Sequence, residues 1–299
     1  MKKGNTGAKL GVDIGGTDVK FAVVADGNIV CKSKIPSNRE SVEGILNEIC
    51  AECKRLYEEH PYDSIGVGAP GVIYDGLLTT NNLPFHNTPI AAEMEKRTGL
   101  LVKADNDANC AALGEVLGGS GKEYSDAILI TLGTGVGGGV IVDGNILRGR
   151  GGAGELGHMV IQSENGLPCT CGRSGCLEQY ASAGALIRQA TRAAEENPDS
   201  LLCKLYRNNG ELNGFLFFEA VHANCPVAET VLDQYLNWLS IGIKNFQMIF
   251  DPEVILLAGG ITKEGETFLK PLTEKLGEGI NVKIATLQSD AGVYGAANL

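Results

Sequence analysis

The amino-acid sequence predicts an α/β protein built from two related lobes. Three observations carry that prediction: a hairpin unit that occurs twice, an alternation of short apolar strands with amphipathic helical stretches, and glycines gathered into clusters. In the first hairpin, Gly16-Thr17-Asp18-Val19 leads through an apolar run to Asp26-Gly27-Asn28-Ile29. In the second, Gly133-Thr134-Gly135-Val136 leads through another to Asp143-Gly144-Asn145-Ile146. Both Gly-Thr pairs and both Asp-Gly-Asn turns are offset by the same 117 positions. Each copy reads as strand, Gly-Thr turn, strand, Asp-Gly-Asn hairpin, strand. Chance likeness would not hold one offset through two turns, so duplication is the better account. Two lobes would then face each other, each offering a Gly-Thr turn to an interlobe cleft. The 41 glycines concentrate at Gly15-Gly16, Gly133–Gly139, Gly149–Gly157 and Gly259-Gly260, as expected where backbone approaches a ligand closely.

Along the chain, Ser41–Glu59 has a helical pattern, with Val42, Ile45, Leu46, Ile49 and Leu56 on one face. Ser64–Gly68 reads as a buried strand ending in Ala69-Pro70-Gly71. Ala91–Thr98 reads as a helix stopped by Gly99, and Leu100–Ala104 as a strand. Asp105-Asn106-Asp107 opens a helix over Ala108–Leu117. Thr230–Phe250 is a long amphipathic helix that passes through Asp251-Pro252 into a strand over Val254–Leu257 and the Gly259-Gly260 turn. Cys50 and Cys53 fall inside a helical pattern and read as ordinary helix residues, not a redox pair. The expected division is a small N-terminal lobe over 1–118, completed by a C-terminal segment from about 286 to 299, and a large lobe over 119–285.

At 299 residues the chain is long enough for two cores, and 43% hydrophobic with 20% charged residues describes a soluble globular protein. The N-terminal residues are polar and no apolar stretch approaches the roughly 20 residues of a membrane span, so neither signal peptide nor membrane partner is expected. Cytoplasm is the default location, where nine cysteines are thiols or metal ligands. A net charge of −11 argues against a nucleic-acid partner.

The segment from Glu155 to Glu178 is the densest in chemistry. His158, Cys169, Cys171 and Cys176 lie within nineteen residues, with Gly172 and Gly175 allowing the chain to turn back. Four N/S ligands with no open position describe a closed, structural tetrahedral Zn²⁺ site. Three loop cysteines with a surface histidine, or a disulfide with a spare thiol, are the alternatives; clustering without a secretory context favours metal. A metal on one imidazole nitrogen would leave the other to orient Glu155.

The turn Asp13-Ile14-Gly15-Gly16-Thr17 presents consecutive backbone N–H groups that suit phosphate oxygens, with Asp13 placed to hold Mg²⁺ directly or through water. The turn at 131–139 repeats the offer, and together they look like a clamp on a nucleoside triphosphate. Neither matches a GxxxxGK[ST] loop or a βαβ GxGxxG. Asp105-Asn106-Asp107-Ala108-Asn109 places four polar residues in five at a helix start, more than a cap needs. A carboxylate there can take the proton of a hydroxyl attacking phosphorus.

These segments, with Ala258-Gly259-Gly260, stand in the order of the ROK family, which they resemble over nearly the whole chain; the Cys/His cassette is the most specific part. That family comprises sugar kinases of the actin-like ATPase superfamily and related repressors. The resemblance implies two RNase-H-like lobes with ATP and a hexose between them, a cytoplasmic enzyme and, usually, a homodimer. It implies Asp107 as base towards the sugar hydroxyl, usually the 6-OH. It implies Asn106, Glu155, His158 and Glu178 as sugar ligands, His158 also on zinc, with Asn82 and the Gly68–Gly71 backbone as further contacts. ATP and Mg²⁺ fall to Asp13, Gly15, Gly16, Thr17, Thr134 and Gly135, with Gly259 and Gly260 near the adenosine. Asp18 departs from the family's frequent Lys or uncharged residue; an acid cannot help hold phosphate, so it is expected to point away or to assist Mg²⁺.

The resemblance makes D-glucose the first substrate, as glucokinase is the most frequent activity in such relatives. N-acetylmannosamine, N-acetylglucosamine, mannose, fructose and allose follow, decided by residues such as those in Leu83–Ile90. A sugar-responsive repressor is disfavoured by the acidic chain and by the twelve residues before Asp13, and a dead sugar-binding protein by the presence of Asp13, Thr17, Thr134 and Asp107.

Overall fold

The structure is a computed structural model that describes residues 6–80 and 82–299. The elements to the end of the first hairpin are β1 (Lys9–Ile14), β2 (Asp18–Ala25) and β3 (Asn28–Pro36). They are followed by α1 (Val42–Glu59), β4 (Ser64–Ala69), β5 (Val72–Tyr74), β6 (Leu77–Thr79), α2 (Ile90–Thr98), β7 (Leu101–Asn106) and α3 (Asp107–Gly118). Sheet order is β3-β2-β1-β4-β7, with the hairpin antiparallel and β1, β4 and β7 parallel.

Alternation explains how this sheet is covered on both faces. Leu10, Val12 and Ile14 of β1 join Ile45, Leu46 and Ile49 of α1 in one core. The residues between them face the other way. A Cβ on Gly11 would lie 1.9 Å from the carbonyl oxygen of Val293, and one on Gly66 1.7 Å from that of Ala296. Only backbone without side chains permits that approach. Ser41 caps α1 by accepting from Gly44 N, and Gly99 closes α2 at φ 73°. Cys50 and Cys53 are both buried within α1, where burial pushes their thiols up.

The second hairpin comprises β8 (Ala127–Leu132), β9 (Val136–Val142) and β10 (Asn145–Ile146). Its Asp143-Gly144 turn has φ of 50° and 73°, against 51° and 74° at Asp26-Gly27, so both are built on the same turn with two positive φ values. There follow α4 (Glu178–Ala181), α5 (Ala183–Glu196), α6 (Leu201–Asn209), α7 (Gly214–His222) and α8 (Pro226–Phe250). The chain continues through β11 (Val254–Ala258), α9 (Glu266–Leu276) and β12 (Val282–Ile284) to α10 (Ala291–Ala297). The second sheet has the order β10-β9-β8-β11-β12, which repeats the plan of the first. The long helix starts at Pro226, a turn before the Thr230 expected from sequence, because proline at the first helical position needs no N–H partner.

By contact the chain forms two units. One runs as far as Leu129 and includes Gly139–Gly154 and Ala285–Leu299; the other comprises Ile130–Gly138 and Glu155–Ile284. Among the described residues no helix is long and apolar enough to cross a membrane.

Candidate functional site

In the first unit, β7 runs directly into α3 with no loop between. Asn106 is both the last strand residue and the helix cap: its Oδ1 accepts from Ala108 N at 2.8 Å and Asn109 N at 3.1 Å. Its Nδ2 donates to the carbonyl of Gly71 at 2.9 Å, which ties the cap to the Ala69-Pro70-Gly71 turn. Asp107 is the first helical residue, and its Oδ1 accepts from Ala108 N at 2.9 Å. Burial raises the Asp107 carboxyl above the usual range, opposed by hydrogen bonds from the Ala108 and Asp107 amides and the Asn106 side chain. Gly68 lies on the same floor; a Cβ there would meet Cys110 Sγ at 3.2 Å and Asp107 Cα at 3.7 Å. Asn82 is exposed beside a loop pinned by Thr80, whose Oγ1 donates to the Leu83 carbonyl at 2.6 Å; Asn81 lies outside the described residues.

Asp13, the last residue but one of β1, is half-buried, and its carboxyl is pushed up to about 6 by burial and then by the Asp107 charge, against the pull of Lys20. The Asp13 carboxyl is a hard oxygen donor that a divalent cation would stabilise in the charged form, so it fits Mg²⁺. The Gly15-Gly16-Thr17 turn is closed by Gly15 N donating to Asp18 O at 3.0 Å, and Gly16 and Thr17 are exposed. Asp18 begins β2 in register with Pro36.

In the second unit, Gly133 N donates to Gly135 O at 3.0 Å, leaving Gly133 and Thr134 exposed. Gly259, at φ 119°, packs against the end of β8: a Cβ would lie 2.2 Å from the Leu132 carbonyl oxygen. Gly260 has open space beside it. Glu178 starts α4, and its Oε2 accepts from Val136 N at 3.0 Å. That carboxylate sits where a side chain on Gly135 would be, 2.1 Å from an ideal Cβ.

The cassette closes around one point. The ligand atoms of His158, Cys169, Cys171 and Cys176 all lie within 4.8 Å of one another. Cys169 Sγ is 3.4 Å from His158 Nδ1, and Cys171 Sγ is 3.6 Å from Cys176 Sγ. A tetrahedron with Zn–S bonds of about 2.3 Å has edges of roughly 3.7 Å, so the residues fit zinc. The turn relies on Gly175, at φ 83°, where a Cβ would lie 1.8 Å from the Gln162 carbonyl oxygen. Hydrogen bonds from the backbone and side chain of Arg173 lower the exposed Cys171 thiol to about 6, towards the thiolate that a metal needs. His158 Nε2 faces Glu155 Oε2 at 3.8 Å, so the imidazole joins the sulfur cluster through one nitrogen and the carboxylate through the other. Cys169 Sγ is also 4.0 Å from Glu178 Oε1.

Two residues beside these groups carried no sequence signal. Arg39 donates from Nε to the Gly16 carbonyl at 2.8 Å, and its Nη2 binds the same oxygen. Arg148 Nε donates to Asp105 Oδ2 at 2.5 Å. Both contacts are long-range in sequence, and spacing cannot reveal them.

The sequence profile of the ROK family matches residues 9–299. A glucokinase of Halalkalibacterium halodurans is 39% identical, over 96% of this chain and 92% of its own length. A ROK family glucokinase from Streptomyces griseus, solved in complex with glucose and AMPPNP, superposes with a TM-score of 0.82 at 35% identity, covering 98% of both chains. A ROK hexokinase from Thermus thermophilus gives 0.82 at 32% identity, over 97% of this chain and 96% of its own. The fold is therefore α/β with two RNase-H-like lobes of the actin-like ATPase type. With a family match that spans the hairpins, the Asn106-Asp107 helix start and the zinc-fitting cassette alike, the chain belongs to the ROK family.

Proposed function

We propose that this protein is an ATP-dependent hexose kinase of the glucokinase type, which transfers the γ-phosphoryl group of ATP to the 6-OH of D-glucose. The observation that carries the proposal is Asp107: a carboxyl held at the strand–helix junction by Asn106 and Ala108, with its proton affinity raised by burial. A carboxylate so placed accepts the hydroxyl proton as the oxygen attacks phosphorus. Asn106, Asn82 and the backbone of Gly68 and Gly71 bind sugar hydroxyls on the first unit. Glu155, His158 and Glu178 do so on the second.

The Gly15-Gly16-Thr17 and Thr134-Gly135 turns bind phosphate oxygens, and Gly259-Gly260 leaves room for the adenosine. Asp13 holds Mg²⁺, which neutralises charge on the phosphates when bound. His158, Cys169, Cys171 and Cys176 hold a structural Zn²⁺ that orders the sugar ligands around it.

Asp107→Asn keeps the shape and the Ala108 contact but removes the base. Its kcat is expected to fall about 10²-fold or more while glucose still binds by calorimetry. Turnover within a few-fold of wild type would refute the assignment. A panel of hexoses and N-acetylhexosamines tests the substrate: the highest kcat/KM belongs to glucose, and an N-acetylated sugar at the top would replace it.

A further inference from the structure

We propose that Arg148 is a positioning residue for the base: by binding Asp105 it holds the β7–α3 junction and so fixes where the Asp107 carboxylate points. The proposal rests on Asp107 being the base.

Asp105 is buried, at 5% exposure, and stands two residues before Asp107. Its Oδ1 accepts from Asn106 N at 2.8 Å and from Asn109 Nδ2 at 2.8 Å, so this one oxygen binds both ends of the turn that carries Asp107. Its Oδ2 accepts from Arg148 Nε at 2.5 Å. A buried carboxylate without a counter-charge is costly and would turn towards water, drawing Oδ1 off the helix start.

Packing alone does not prevent that turn. Ile73, Ala104, Asp105, Asn109, Arg148 and Gly151 line a cavity of about 40 Å³, and Asn109 Oδ1 is buried beside it with no hydrogen-bond partner among the described residues. The amide cannot exploit a flip, because Nδ2 is needed on Asp105.

The loop that carries Arg148 is itself fixed. The Arg148 carbonyl accepts from Gly151 N at 2.7 Å and Ala153 N at 3.3 Å. Arg150 lies 5.1 Å over the Tyr74 ring and donates to its hydroxyl at 2.7 Å. Gly151 meets the Ile73 carbonyl so closely that a Cβ would lie 2.3 Å from the oxygen. These contacts hold the loop that brings the half-exposed Arg148 guanidinium to the buried acid of the base turn.

A structural ion pair and a positioning residue differ in which kinetic constant they move. The test measures kcat, KM for D-glucose and for ATP, and the melting temperature of Arg148→Met, Arg148→Lys, Asp105→Asn and the Arg148→Met/Asp105→Asn double variant. Arg148→Met is expected to lower kcat about tenfold at a temperature where it is fully folded, because a small misplacement of the base is enough. KM for ATP should stay within about twofold, since its proposed contacts lie outside this turn, and KM for glucose should rise less than kcat falls, since Asn106 shares the turn. Arg148→Lys should recover part of kcat, and the double variant should be no worse than Asp105→Asn alone. If Arg148→Met does not fold, Asp105→Asn carries the same expectation on kcat. Unchanged kcat with a lowered melting temperature, or additive losses in the double variant, would overturn the inference. Asp107→Asn measured alongside separates the two ideas: activity there refutes the base, whereas an inactive Asp107→Asn beside an unimpaired Arg148→Met refutes only this role for Arg148.

Discussion

The two hairpins are built to one plan and used for different ends. Aligned by their offset, Thr17 matches Thr134 and Asp26-Gly27-Asn28 matches Asp143-Gly144-Asn145, while Asp13 matches Ile130 and Asp18 matches Gly135. The first copy therefore carries, near the end of its leading strand, a carboxylate whose proton affinity is raised, and the second a buried aliphatic side chain at the matching position. The second copy gives up a side chain at Gly135, and Glu178 occupies the space. The turns persist with the same pair of positive φ values. Other positions diverged too, among them Lys20 against Gly137 and Phe21 against Gly138.

Making the second copy resemble the first is the sharpest way to break this division. Gly135→Asp introduces a Cβ and a like charge where Glu178 Oε2 stands, so Glu178 must leave Val136 N. KM for glucose should rise about 100-fold, and KM for ATP should rise as well, because the new charge also stands in the turn proposed to bind phosphate. An unchanged KM for glucose would mean that Glu178 does not serve the sugar.

The cassette supports only the second copy, so disrupting it should act on the same substrate more mildly. Cys171→Ser is expected to hold less than one zinc per chain by elemental analysis, to melt earlier and to weaken glucose binding about tenfold. ATP affinity should change less. Metal-free wild-type protein with full activity would remove zinc from the account.

The last effect belongs to Asp13 and reads on stability alone. Its folded-state carboxyl lies at about 6, above the unfolded value of 3.8, so the folded protein binds more protons between those values. Stability from this group is fully present below the unfolded value and is lost as pH rises to about 6. In Mg²⁺-free buffer, Asp13→Asn should therefore flatten the decline between those pH values and be more stable than wild type near pH 7, by roughly 1–3 kcal/mol. Parallel curves from denaturant titration would show that Asp13 titrates normally.

What the sequence made legible was local. The Asp-Gly-Asn turns, the Asn106 cap, the Gly99 stop and the spacing of His158, Cys169, Cys171 and Cys176 each act within a few residues to a few turns of chain. The pairs Arg39–Gly16 and Arg148–Asp105 escaped because nothing near either residue announces its partner. The Thr230 boundary missed a turn because Pro226 reads as a breaker until it is recognised as a helix opener. Helix α10, Ala291-Gly292-Val293-Tyr294-Gly295-Ala296-Ala297, was invisible for another reason: it is buried all round, so it shows no amphipathic stripe, and its glycines lower its helix propensity.

That helix has a consequence for how the protein is made. It contacts β1 at Gly11, β4 at Gly66 and α3 at Gly114, the last so closely that a Cβ would lie 2.2 Å from the Ala291 carbonyl oxygen. Glu115, fully buried, accepts from the backbone N–H groups of Thr286, Leu287 and Gln288 just before it. The ribosome releases β1, β4 and α3 early and α10 only after every residue of the second unit. The first unit must therefore wait on the ribosome with one face of its sheet uncovered, while the second unit can assemble in the interval. Order of synthesis and order of completion are reversed, and the glycine-lined face of β1 and β4 is the surface that a chaperone would meet on the nascent chain.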